Sequence, residues 1–64
     1  MSYADDVTRC ALEAFRRVEG GAVLTTQLAR EVIRDLGTTV TPTTVLFEAQ
    51  GFCYESAQTR ARGV

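Results

Sequence analysis

Sixty-four residues, 45% of them hydrophobic, make one small domain that buries only about 60% of its unfolded surface, which excludes a second domain and an enclosed substrate cavity. The seven basic residues are all arginine and face eight acids, so the net charge is −1 and the pI about 5.2, without the basic footprint of most nucleic-acid binders. The absence of histidine, two cysteines far apart (Cys10 and Cys53) and the lack of any membrane-length apolar run argue against a metal site and a membrane span.

The first element is an amphipathic helix over about 4–18. Ala4, Val7, Ala11, Ala14, Phe15 and Val18 recur at spacings of three and four and form its inner face, with Leu12 off that face. Ser2 is placed to cap it, with Asp5 three residues on as in a capping box. Asp5 with Arg9 and Glu13 with Arg17 form i,i+4 pairs on the outer side. Gly20-Gly21 ends the helix. Ala22-Val23-Leu24 reads either as a strand stub or as an extended connector.

Thr25 or Thr26 caps a second helix, about 27–36, whose inward stripe is Leu28, Ala29, Val32, Ile33 and Leu36. Gly37 supplies a left-handed stop. A third helix follows over about 42–50: Thr41 is a good N-cap, Pro42 sits at the first helical position, and Val45, Leu46 and Ala49 face inward. Gly51 fits the position just past the end. That places Phe47 and Phe52 where a Schellman motif makes its apolar contact. Beyond it Phe52 and Tyr54 alternate with Cys53 and Glu55, and a polar turn at 56–59 leads to Arg60–Val64. The expectation is a β-hairpin over 52–64, with a frayed tail as its alternative.

The fold class expected is therefore mainly α: one domain over 1–64, a small three-helix helix-turn-helix core with a C-terminal β-hairpin wing. The segment "LAREVIRDLGTTVTPTTV", Leu28 to Val45, resembles the paired helices of the arginine-repressor and ferric-uptake-regulator DNA-binding domains. Thr44-Val45 stand where those families carry a Thr-Val pair at the recognition helix, and "FEAQGF" resembles their glycine-then-strand exit into the wing. The chain departs from them at Leu46-Phe47, where a polar and a basic residue often follow. The resemblance implies a small transcription regulator that binds double-stranded DNA.

On that reading Thr41, Thr43 and Thr44 offer hydroxyls to phosphates or base edges, and Gln50 reaches a base from the far end. Gln27, Arg30 and Arg34 line the outer face of the second helix, and Arg60 and Arg62 track the backbone from the wing. Each also has an ordinary structural role. Threonines at a helix start are caps first, and Arg30 and Arg34 suit a solvated face beside Glu31 and Asp35.

The rival reading is a protein-interaction module, a homodimer or an accessory docked on a larger regulator. A core this small gains from a partner, and Leu12, Phe47, Phe52 and Tyr54 are the residues that form an apolar patch. An enzyme is not expected: no histidine, no glycine-rich phosphate loop, and adjacent Asp5-Asp6 that cannot converge on one helix face. Nor is any cofactor, metal, small-molecule substrate or membrane partner. A homodimer in a reducing cytoplasm is the expectation, with both cysteines acting as small buried hydrophobes and a disulfide between them as the alternative.

Overall fold

The structure, a computed structural model, describes residues 2–62, with side chains over 2–59. It contains three helices, α1 (Tyr3–Glu19), α2 (Thr26–Leu36) and α3 (Pro42–Arg62), and no strand among the described residues.

Local chemistry sets the starts and stops. The Ser2 hydroxyl accepts the Asp5 N–H at 3.2 Å, and the Thr25 hydroxyl accepts the Leu28 N–H at 3.1 Å, each satisfying a first-turn donor. Both α1 and α2 end in Schellman geometry. At α1 the Ala22 N–H donates to the Arg17 carbonyl and the Gly21 N–H to that of Val18, with Gly21 at φ 110°. At α2 the Thr38 N–H donates to Ile33 and the Gly37 N–H to Arg34, with Gly37 at φ 70°. Val23 in the intervening connector is 74% exposed, and residues 22–24 form no strand.

The core is made of small residues from all three helices. Val7, Cys10, Ala11 and Ala14 of α1 meet Leu28, Ala29 and Val32 of α2, with Val45 and Ala49 of α3. Val40, outside any expected element, closes it at 5% exposure. No fully buried side chain is larger than valine or cysteine, so the helices approach closely and the core stays thin. Cys10 is buried as expected. Cys53 is only half-buried, and both thiols are free. Ala4 is exposed, at the outer edge of the first turn.

The expected wing is corrected. The helix over 42–50 does not stop at Gly51 but continues to Arg62, so residues 52–62 are helical rather than a hairpin. Gly51 does not adopt positive φ. Phe52 explains why the helix goes on: its ring lies 6.3 Å from that of Phe15 at an interplanar angle of 53°, a tilted aromatic pair that ties the second half of α3 to α1. The Phe47–Phe52 staple is likewise replaced, since Phe47 stands 77% exposed. Val64, the residue expected to close the hairpin, lies outside the described residues. A helix of 21 residues spans about 32 Å, which accounts for most of the molecule's 38 Å long axis.

Helices α1 and α3 run side by side in the same direction. Tyr3 meets Thr41 at their starts and Phe15 meets Phe52 further along. Glu19 shares a groove with Ser56 and Thr59 near the end of α1.

Candidate functional site

The residues singled out in the sequence fall into three places. The first is the start of α3. Thr41, Thr43 and Thr44 are all exposed, but Thr41 is already engaged. The Tyr3 hydroxyl donates to Thr41 Oγ1 at 3.2 Å, and the Thr41 N–H donates to the Tyr3 oxygen at 3.3 Å. The Thr41 side chain, the Thr41 N–H and the Thr44 side chain, in that order of effect, hold the Tyr3 phenol below its ordinary pKa, donation to the phenol oxygen being what favours the phenolate. Tyr3 was not among the residues expected here. No local signal marks it, since its partner is 38 residues away.

The second place is α2, where Gln27, Arg30 and Arg34 are exposed as expected. Arg34 comes within 4.0 Å of Asp35. The stronger electrostatic feature involves the same Asp35. Arg17 of α1 donates to Glu13 at 2.8 Å and to Asp35 of α2 at 2.9 Å, bridging the two helices. Arg16 adds a two-oxygen contact to Glu13, as close as 2.7 Å. The hydrogen bonds from Arg16 and Arg17 hold Glu13 below the usual carboxylate range, and those to Glu13 and Asp35 raise Arg17 further.

The third place is the outer side of α3, where the structure brings together residues expected for opposite roles. Thr43, Phe47, Gln50 and Tyr54 follow one another at spacings of four, three and four, so one stripe carries both DNA and protein candidates. All four are exposed; Phe47 is 77% and Tyr54 67% accessible. Gln58 extends the stripe by donating to the Tyr54 oxygen at 3.0 Å. Beside it a groove passes over Phe47, Glu48, Gly51, Phe52 and Glu55. From Phe52 and Glu55 it continues to Leu12, Phe15 and Glu19 of α1. Leu12, 50% exposed, is thus joined to the α3 surface through Phe52.

The side chains of Arg60 and Arg62 lie outside the described residues, and their helical backbone removes the extended wing that was to present them. Between Pro42 and Thr59, α3 carries two acids, Glu48 and Glu55, and no basic residue.

Among the described residues no group of three or more His, Cys, Asp or Glu is placed to hold a metal ion, and no helix is long and apolar enough to cross a membrane. No protein-family model, curated protein or solved structure matches the chain.

Proposed function

We propose that this chain is a small protein-docking module whose contact surface is the outer side of α3 together with Leu12 of α1. The observation that carries this reading is the course of α3. Because the helix is continuous, Phe47 and Tyr54 stand two turns apart on one exposed stripe, with Gly51 leaving open space beside them. Exposed aromatics of this size are the residue types that anchor protein interfaces. The core behind them is thin and closed, so the stripe has no internal partner to cover it.

The chemistry of the surface favours protein over DNA. Over 42–59 α3 carries Glu48 and Glu55 and no base, with Arg60 and Arg62 following only in its last turn, and Thr41 is hydrogen-bonded to Tyr3. Affinity capture with nuclease-treated lysate tests the reading, comparing the native chain with a Phe47→Ser/Tyr54→Ser variant. A protein retained by the native chain and lost with the variant is expected. Retention that is indifferent to the variant contradicts the reading.

A second reading, DNA binding, draws on the exposure of Gln27, Arg30, Arg34 and Thr43. It requires steeply salt-dependent association with random duplex DNA, weakened by Arg30→Ala and Arg34→Ala.

A further inference from the structure

We infer that the aromatic stripe of α3 is covered by α3 of a second copy of this chain, packed antiparallel about a two-fold axis level with Phe52. The inference rests on the docking reading above and names the partner of that surface. Helix α3 carries apolar residues on two opposite sides. Val45, Ala49 and Phe52 pack into the core, whereas Phe47 and Tyr54 stand on the far side, exposed. A helix with two apolar sides calls for a neighbour on each. Among the described residues only the inner side has one.

The outer stripe has the form of a helix–helix seam. Thr43, Phe47, Gln50, Tyr54 and Ala57 recur at spacings of four, three, four and three, which keeps them in one line; all five are exposed and none is charged. Large and small positions along this line fit the same line reversed. With the axis level with Phe52, the middle of α3 (Pro42–Arg62), Phe47 falls opposite the partner's Ala57 and Tyr54 opposite the partner's Gln50. Each ring thereby meets a smaller side chain, and symmetry repeats both contacts. The Tyr54 oxygen accepts from Gln58 at 3.0 Å, and its O–H is a donor for the side-chain carbonyl of the partner's Gln50.

Gly51 borders the axis. A Cβ there would meet nothing within 4 Å, so the helix surface is low beside the seam and the two backbones can approach closely. Parallel packing fits worse. It sets Phe47 beside Phe47, Tyr54 beside Tyr54, and Glu48, Glu55, Arg60 and Arg62 each level with its own copy. Reversal instead brings the last turn, which holds Arg60 and Arg62, alongside the partner's first turn, which holds no charged residue. At 77% and 67% exposure Phe47 and Tyr54 present roughly 300 Å² in each copy, and with their uncharged neighbours the two copies bury about 1,000 Å², the lower bound of a specific interface. Such a seam holds a reversible dimer.

The test is sedimentation equilibrium of the full chain over a wide concentration range, beside Phe47→Ser/Tyr54→Ser and Gly51→Arg. The expected result is a reversible species of twice the 7.0 kDa chain mass. Phe47→Ser/Tyr54→Ser is expected to raise its dissociation constant by about tenfold or more, with helical circular dichroism unchanged. Should that variant not fold, Gly51→Arg, which fills space that is open in the single copy, is expected to give a loss in the same direction. Spin labels on Thr43→Cys read the direction of packing, in a Cys53→Ser background with Cys10 buried. Antiparallel packing about Phe52 sets the two labels about 27 Å apart along the helices, and parallel packing sets them side by side.

A chain that stays monomeric at every concentration, while protein capture from lysate still depends on Phe47 and Tyr54, overturns the inference and leaves the docking reading standing. A dimer indifferent to both variants overturns the inference too, as do labels found side by side. A monomer at every concentration, together with capture indifferent to Phe47→Ser/Tyr54→Ser, overturns both.

Discussion

Tyr3 and Thr41 exchange two hydrogen bonds across 38 residues, the phenol donating to the threonine hydroxyl and the Thr41 N–H donating back to the phenol oxygen. The contact fixes the start of α3 against the start of α1 and occupies a threonine otherwise suited to a ligand. Tyr3→Phe keeps the ring and removes both bonds. Faster amide exchange at Thr41 and a small fall in melting temperature are expected. In a Tyr54→Phe variant the one remaining tyrosine is Tyr3, and its absorbance is expected to titrate below the ordinary tyrosine range. An unshifted titration would show that the contact does not persist in solution.

The Arg17 bridge between Glu13 and Asp35 makes the α1–α2 packing sensitive to acid. The folded chain holds Glu13 below its ordinary pKa, so the carboxylate binds its proton less readily folded than unfolded. The stabilising contribution is therefore complete above the unfolded glutamate pKa and is lost as pH falls through the lower folded value. Glu13→Gln is expected to lower the melting temperature near neutrality and to bring the two proteins together as the medium becomes acidic. A constant difference across the acid range would remove Glu13 from the effect.

Phe52 joins the second half of α3 to α1 through Phe15. Phe52→Ala removes a half-buried ring and an aromatic pair, at a cost of about 1–3 kcal/mol in chemical denaturation. Phe52→Leu is expected to keep more than half of the lost stability. A neutral Phe52→Ala result would mean that residues beyond Gly51 contribute little to the fold.

Phe47 and Tyr54 behave in the opposite manner. Both are mostly exposed, so Phe47→Ser and Tyr54→Ser are expected to leave stability within about 0.5 kcal/mol. Their effect belongs to association, read by capture of a protein partner. A large loss of stability in either variant would assign the side chain to the core.

The contrast between these residues also explains what the sequence disclosed. The caps at Ser2 and Thr25, the stops at Gly20-Gly21 and Gly37, and the inner stripes of α1 and α2 are local features with a fixed spacing, so they are legible one element at a time. Gly51 looked like a third stop because its neighbours reproduce Schellman spacing, yet Gly37 alone of the two takes the left-handed conformation. Phe52, Cys53, Tyr54 and Glu55 alternate as a strand does. Over four residues, however, one ring packed on a distant Phe15 outweighs that alternation. Tyr3–Thr41 and the burial of Val40 likewise depend on contacts far apart in the chain. The outer residues Leu12, Phe47 and Tyr54 were legible singly, but their relation to one another required the extra turns of α3.

The unbroken passage of α3 through Gly51 is what unites Phe47 and Tyr54 on one face, and the stability of Gly51→Ala measures it most directly. A methyl group there meets open space on a helical backbone, so the substitution is expected to stabilise the chain by about 0.5–1 kcal/mol in chemical denaturation. A loss of stability of similar or greater size would place Gly51 in a left-handed cap, end the helix there, and dissolve the face on which docking depends.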